Sequence, residues 1–188
     1  MTVRKRRESI EFAGVALERV WRLQPRRRSS ADYVPQANDL QRVFDLVWKA
    51  QLEIIDSPSV AEHFGFDPRQ ALYYIEACKE LGLIEKFGPD TFRLTPEGFA
   101  IRGVNESAAI TSIAEAVLGV PVILRVLSEL RQSPKLSLPS GRLRDIVAGI
   151  ASARYGGSTL PRRIECVGSW LRWLENNSEF LVLPPEIS

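Results

Sequence analysis

Prolines placed where helical patterns begin constrain this chain more than any other sequence feature. They occur at Ser57-Pro58, Asp67-Pro68 and Thr95-Pro96. Proline is favoured in the first turn of a helix, where its missing N–H has no partner to lose, and it breaks a helix interior. Each dipeptide therefore predicts where a helix begins. Gly65 and Gly82 predict the turns that end two of these helices, because glycine tolerates a left-handed cap.

Hydrophobic periodicity fills the segments between these signals. Apolar residues at a spacing of three and four predict a helix over 40–52, capped by Asn38 or Asp39, and further helices over 60–64 and 68–81. Residues 83–94 alternate around a Gly-Pro-Asp turn, which predicts a β-hairpin. Three helices followed by a hairpin is the order of a winged helix-turn-helix.

The second half of the chain repeats this order. Helical patterns cover residues 105–118, 122–130, 141–151 and 158–174, and residues 180–183 predict a strand that leaves room only for a short wing. The predicted fold class is therefore mainly α with small β-hairpins, a tandem winged helix-turn-helix. We divide it into an N-terminal arm (1–36), a first winged helix (37–103) and a second winged helix with a short wing (104–188).

The charge is concentrated at the N-terminus. The net charge of the whole chain is +2, but residues 1–30 hold nine basic and three acidic side chains, so residues 31–188 sum to −4. We predict a short amphipathic helix over about residues 8–23, followed by an extended basic linker. The arm is expected to add sequence-independent phosphate contacts, or alternatively to be a solvated tail that aids solubility. The candidate residues for these phosphate contacts are Arg4, Lys5, Arg6, Arg7, Arg26, Arg27 and Arg28.

Several functional classes are excluded by residue types that the chain lacks. One histidine and two cysteines cannot supply the four ligands of a structural zinc site, and two buried thiols in a reducing cytoplasm are expected rather than a disulfide. No nucleotide-binding glycine loop, nucleophile elbow or Asp/Glu-x-Lys nuclease tripeptide occurs. No apolar run is long enough for a membrane span. We therefore expect no catalytic centre, metal or cofactor, and a cytoplasmic location.

The last predicted helix carries the first group of candidate DNA contacts. One side of it is an apolar stripe, and arginines, small residues and an indole lie on the other sides, which suits a helix entering a DNA groove because arginine can bond bidentately to guanine. Alternatively it is a solvated helix whose tryptophan packs on a partner protein. The candidate contacts on this helix are Arg162, Arg163, Ser169, Arg172 and Trp173.

The corresponding helix and hairpin of the first module supply the second group. Arg69, Gln70 and Tyr73 lie on one exposed face, although Glu76 and Glu80 on the same face would repel phosphates. The wing offers Lys86 and Arg93 for contacts with the backbone of a duplex, and an ordinary surface charge explains either residue equally well.

Two stretches resemble winged-helix modules of restriction-modification (type II restriction endonuclease) proteins. The first is Phe66-Asp67-Pro68-Arg69-Gln70-Ala71-Leu72-Tyr73-Tyr74 with Leu81-Gly82-Leu83 and Leu94-Thr95-Pro96-Glu97-Gly98; the second is Arg162-Arg163, Cys166-Val167 and Ser169-Trp170-Leu171-x-Trp173. The likeness covers about residues 38–176, with Cys166 standing where threonine is commoner. It implies a DNA-binding or specificity module beside a nuclease, methyltransferase or other defence enzyme, and it brings no catalytic centre.

These observations favour a non-catalytic protein that binds double-stranded DNA, a subunit or specificity element of a restriction-modification or anti-phage system. The alternative is a winged-helix protein-interaction adaptor or transcriptional regulator within a larger complex, which the net charge of −4 over residues 31–188 favours. The apolar face of residues 10–21 is a possible homodimer seam, or it packs on its own domain.

Overall fold

The protein is mainly helical, with one small antiparallel hairpin, in a computed structural model that describes residues 12, 14–26, 29–133, 135–139, 141–151, 155 and 159–181. The predicted mainly α class with a β-hairpin is confirmed. In chain order its elements are α1 (Gly14–Trp21), α2 (Leu40–Trp48), α3 (Ser57–Phe64), α4 (Pro68–Glu80), β1 (Ile84–Gly88), β2 (Thr91–Leu94), α5 (Pro96–Arg102), α6 (Glu106–Leu118), α7 (Pro121–Gln132), α8 (Arg142–Ala151), α9 (Leu160–Asn176) and a 3-10 helix (Ser178–Phe180).

Side-chain caps explain why the helices begin where the prolines predict. The carboxylate of Asp56 accepts from the N–H of Ser59 at 2.8 Å at the start of α3, and Asp67 does the same for Arg69 in α4. The hydroxyl of Thr95 accepts from the N–H of Gly98 at 3.1 Å in α5. Each cap satisfies one of the N–H groups that a helix start leaves without a partner.

The end of α2 comes earlier than the periodicity predicts, and an arginine explains the difference. The guanidinium of Arg102, on α5, donates to the carbonyl of Val47 at 3.2 Å and to that of Ala50 at 2.8 Å. The last carbonyls of a helix otherwise lack donors, so this contact satisfies them and lets the chain leave the helix at Trp48.

The hairpin is tied to the helices through the segment between α2 and α3. Ile55 and Phe92 exchange both backbone hydrogen bonds, each 2.8 Å long. Two residues further on, the hydroxyl of Ser57 donates to the carbonyl of Pro68 at 2.6 Å, so α3 and α4 begin side by side. The hairpin is therefore linked to the segment from which both α3 and the start of α4 are positioned.

A single buried core runs through helices of both predicted modules. It includes side chains from α1, α2, α4, α6, α7, α8 and α9, together with Tyr33, Val34 and Ala37 from the segment before α2. Leu17 and Val20, on the apolar face of α1, are fully buried in this core. The face proposed as a dimer seam thus packs on its own chain. The module boundary between residues 103 and 104 stays a prediction.

The prediction of a strand beginning at Phe180 is wrong for the residues that the structure describes. Residues 178–180 form a 3-10 helix instead, and residues 182–188 lie outside the described part. The reason is that side chains from other elements donate hydrogen bonds to the carbonyls of this segment, so these carbonyls do not pair with a neighbouring strand. The hydroxyl of Ser107 donates to Phe180 O at 2.7 Å, and the guanidinium of Arg19 donates to Glu179 O at 3.1 Å.

No helix in the described segments has, by itself, the length and apolar composition that a membrane span requires. Only α6 and α7 taken together meet that requirement, and their axes meet at 91°.

Gly98 provides a test of how tightly α5 packs on the hairpin. A Cβ at this position would overlap the Leu83 carbonyl oxygen, whereas a Cβ at Gly149, on α8, would meet no atom within 4 Å. We expect Gly98→Ala to lower the free energy of unfolding by about 1–3 kcal/mol. Gly149→Ala, as the control, should stabilise the protein by about 0.4–1 kcal/mol. Urea unfolding followed by circular dichroism measures both, and equal effects would contradict the packing described.

Candidate nucleic-acid interface

The two helices predicted to contact DNA meet at one point of the surface. The guanidinium of Arg162, near the start of α9, lies over the ring of Tyr73 on α4, 4.6 Å from its centroid. Arg69 is exposed and precedes Tyr73 by four residues, so both lie on the same face of α4. Arg69, Tyr73 and Arg162 form a contiguous group, which we call the α4–α9 surface.

Along α9 the exposed side chains follow helical spacing away from this group. Arg162, Glu165 and Arg172 are exposed, and Ser169 is half-buried between them. Gln70, on α4, is also half-buried. The prediction that Arg162, Ser169 and Arg172 face away from the core is therefore confirmed. Glu165 adds one acidic side chain to the same side of α9.

Arg163 does not lie on the α4–α9 surface. The residue is buried, with only 6% of its surface exposed. Its guanidinium donates to the carbonyl of Val34 and to Oε1 of Gln36, the latter at 3.1 Å, and it stacks on the ring of Tyr155 at 3.3 Å. The prediction of a DNA contact by Arg163 is wrong because the segment before α2 covers this side of α9.

Trp173 is likewise part of the interior. It is only 7% exposed, and its indole N–H donates to Oε1 of Gln41 on α2 at 3.0 Å. Its ring centroid lies 6.4 Å from that of Phe44. The prediction of an exposed indole is wrong because α2 packs against α9 beside the apolar stripe. Trp170, predicted to be in the core, is buried and donates to Ala37 O at 2.8 Å.

The two glutamates expected to repel phosphates are neutralised or buried. Glu76 pairs with Lys79 at 2.7 Å. Glu80 is 9% exposed, contrary to the prediction, and its carboxylate accepts from the N–H of Ser30 at 3.0 Å and from the Ser30 hydroxyl at 3.2 Å. The linker preceding α2 thus covers the end of α4, and the exposed face near Arg69 is less acidic than the sequence implies.

In the hairpin, one of the two predicted cations already has a partner. Lys86 is exposed, whereas the guanidinium of Arg93 pairs with the carboxylate of Glu85 at 2.8 Å. Arg93 also lies over the ring of Phe87, 5.1 Å from its centroid. Phe87 is 59% exposed, the largest exposed fraction among the large hydrophobic side chains that the structure describes. Sequence reasoning missed it, although an apolar residue directly before a turn is a usable signal.

Of the candidate phosphate-binding residues in the basic arm, the structure describes Arg26. Arg26 donates its backbone N–H to Glu115 O at 3.1 Å, and its guanidinium pairs with the Glu115 carboxylate at 2.6 Å. Arg26 is therefore already ion-paired with α6, and its contact with phosphate stays a prediction. The other arm candidates lie outside the described residues: Arg4, Lys5, Arg6, Arg7, Arg27 and Arg28.

Both cysteines are free and buried, as the sequence predicts. Desolvation raises the pKa of Cys78 to about 12 and that of Cys166 to about 11. A thiol held in the protonated form is a poor nucleophile and a poor metal ligand. Within the described ranges, no three His, Cys, Asp or Glu side chains come together as a metal site.

Arg163 and its neighbour in sequence give a matched pair of variants. Arg163→Ala should lower the free energy of unfolding by about 1–3 kcal/mol, because it leaves a buried carbonyl and an amide without their donor. Arg162→Ala removes an exposed guanidinium and should cost less than about 1 kcal/mol. Chemical denaturation compares the two, and an equal or reversed order would be inconsistent with a structural role for Arg163.

The thiols yield a prediction about reactivity and pH. Both pKa values are raised, so the thiolate is scarce in the folded protein even at pH 9, where an exposed cysteine is largely ionised. A thiol-specific chromogenic reagent at pH 8–9 should therefore modify the native protein slowly, through molecules that have opened or unfolded. Rapid modification of either cysteine in the native state would contradict their burial. Protein in urea serves as the control and should react at once.

Comparison with known proteins places the chain in a family. No curated protein matches it, and no solved structure does either. Residues 42–179 match a family model described as a domain of unknown function, DUF7226. This match runs from α2 through α9 and so includes both helices of the α4–α9 surface. The chain is a member of the DUF7226 family.

Proposed function

We propose that this protein is a non-catalytic binder of double-stranded DNA and that its α4–α9 surface contacts the duplex. The observation that carries the proposal is the contact between Arg162 and Tyr73, 4.6 Å from guanidinium to ring centroid. Arg69 lies one helical turn before Tyr73, so Arg162 of α9 contacts the same face of α4 that carries Arg69. Guanidinium groups bind phosphates and guanine edges, so two neighbouring arginines can engage one backbone or groove together.

The element order supports a winged helix-turn-helix in the first part of the chain. α2, α3 and α4 are followed at once by β1 and β2, and the bridge between Ile55 and Phe92 ties the hairpin to the segment between α2 and α3. In such a fold the third helix enters the major groove and the wing lies near the backbone. α4 is then the recognition helix, with Arg69 and Gln70 near its N-terminus in position to reach base edges.

We further propose that α7, α8 and α9 form a second winged helix. Its last helix would contribute Arg162 and Arg172 to the same duplex, with Ser169 allowing close approach between them. Both arginines are exposed. The two modules would then bind as one continuous surface rather than as separate half-sites, since Arg162 contacts α4 directly.

The biological setting of the proposal comes from the motif resemblance. A protein of this kind would act in the cytoplasm as a subunit or specificity element of a restriction-modification or anti-phage system. A nuclease, a methyltransferase or another defence enzyme would supply the chemistry. Three of the residues that carry the resemblance, Arg163, Trp170 and Trp173, are buried and stabilise the fold. They therefore agree with a shared fold and give no information about a shared partner.

An adaptor that binds another protein is the second candidate. Val104 and Phe180 are exposed by 41% and 45%, and both flank α6. The indole of Trp48 donates to Val104 O at 3.1 Å, and Ser107 donates to Phe180 O, so these apolar groups lie around the start of α6. Exposed apolar side chains gathered in this way are typical of protein contact sites.

Fluorescence anisotropy with a labelled 20-base-pair duplex of mixed sequence tests the DNA proposal. At about 50 mM salt the wild-type chain should bind, and the affinity should fall as salt rises because phosphate contacts release counterions. Arg69→Ala and Arg162→Ala should each weaken binding by about 1–3 kcal/mol. Arg144→Ala removes an exposed arginine on α8, outside the α4–α9 surface, and serves as the matched control.

Two results would reject the proposal. One is wild-type protein that fails to bind the duplex at low salt. The other is a loss of affinity in Arg144→Ala that equals the loss in the two surface variants, because binding would then depend on total charge and not on the α4–α9 surface.

A further inference from the structure

We propose that a groove between α7 and the chain from α1 to residue 31 binds a small organic anion, a carboxylate with a compact apolar body. We call it the α1–α7 groove. It consists of three adjoining cavities, and none of the described residues that line them belongs to the α4–α9 surface. The proposal is therefore independent of the proposed DNA binding.

The cavities adjoin because they share lining residues. The first has a volume of about 540 Å³ and the second of about 200 Å³, and both are lined by Trp21 and Arg131. Leu124 lines both the second cavity and the third, which measures about 530 Å³. The first two together reach the range of roughly 300–1,000 Å³ in which small molecules are usually bound.

Helical spacing on α7 builds one wall of the groove. Leu124, Leu127, Ser128 and Arg131 are three or four residues apart and so lie on one face of the helix. Leu127 is buried and Leu124 half-buried, whereas Ser128 and Arg131 are exposed. The opposite wall of the second cavity is mostly apolar and consists of Val20, Trp21, Leu23 and Pro25. The groove therefore has an apolar floor and a cation at its rim.

The cation at the rim is available to a ligand. The guanidinium of Arg131 lies 6.0 Å from the centroid of the Trp21 ring, and among the described residues it has no ion pair. A guanidinium placed over an indole is partly oriented before any ligand arrives. A ligand whose apolar body fills the second cavity can therefore direct a carboxylate to Arg131.

The summed charge of the groove also favours an anion. Among the described residues that line it, Glu18 stands against Arg22, Arg125 and Arg131, which gives a net charge of +2. Glu18 pairs with Arg22 at 3.6 Å, so the one carboxylate of this set already has a cation. The ion pairs that continue from Arg125 add no net charge, because they consist of Glu129 and Arg142.

Titration with 2-naphthoate, followed by the indole N–H signals in ¹H–¹⁵N NMR spectra, tests the proposal. The chain has four tryptophans, and Trp21→Phe identifies the signal of Trp21. That signal should move until the site is saturated. The other three indoles donate to protein oxygens outside the groove and should keep their positions, namely those of Trp48, Trp170 and Trp173.

A neutral ligand and a matched arginine variant test the role of the charge. 2-Naphthamide has the same rings without the charge, and it should bind about fivefold more weakly than 2-naphthoate. Arg131→Gln should weaken 2-naphthoate binding by the same factor and leave 2-naphthamide binding unchanged. Arg144→Gln, which removes an exposed arginine of α8 outside the groove, is the control and should bind as wild type does.

Ser128→Phe tests the position of the apolar body. Ser128 is exposed and lines the second cavity, so a phenyl ring there occupies the cavity without replacing a core residue. This variant should lose the Trp21 shift with both ligands. Circular dichroism and the unchanged signals of the three other indoles check that the variant is folded.

Three results would overturn the proposal. The first is a Trp21 signal that does not move with 2-naphthoate, and the second is an equal affinity for the acid and the amide. The third is an equal loss of affinity in Arg131→Gln and Arg144→Gln. Each leaves the proposed DNA binding in place, because the duplex measurement depends on the α4–α9 surface and not on this groove.

Discussion

The segment that precedes α2 holds the rest of the structure together, because its backbone carbonyls are buried and must be given donors. Arg163 donates to Val34, and Trp170 donates to Ala37, both from α9. From the other side, Ser29 and Ser30 bond to Glu80 at the end of α4. Buried polar groups without partners are costly, so these contacts fix the segment between the two helices. The spacing of α4 and α9, and with it the contact of Arg162 with Tyr73, depends on this arrangement.

Because of that packing, two adjacent arginines of α9 have different environments. Arg162 and Arg163 are adjacent in sequence, and successive residues of a helix point about 100° apart. Arg162 is therefore exposed over Tyr73, whereas Arg163 is buried under the segment before α2. A similar separation holds in α4, where Tyr73 faces Arg162 and the hydroxyl of Tyr74 donates to Asn38 at 3.0 Å. One residue of each pair builds the surface, and its neighbour builds the scaffold beneath it.

Much of the fold is predictable from the sequence because its signals are local. The prolines at α3, α4 and α5, the alternation in the hairpin and the glycine turns all act within a few residues, and these elements lie where expected. The burial of Arg163, Trp173 and Glu80 is not local, because it is caused by segments more than 40 residues distant in the chain. Helical periodicity identifies one apolar stripe on α9, but it does not reveal that α2 and the preceding segment cover two further sides. The same limit applies to Phe180, whose carbonyl is taken by Ser107.

The contacts of α9 with the segment before α2 join residues that are 127 to 133 positions apart. Contacts between residues so distant in sequence form late, since a long loop must close before they contribute. During synthesis, the carbonyls of Val34 and Ala37 cannot meet Arg163 and Trp170 until α9 has left the ribosome. The proposed DNA surface is therefore absent from every nascent chain that ends before α9. A growing polypeptide acquires the proposed surface only after α9 has been synthesised.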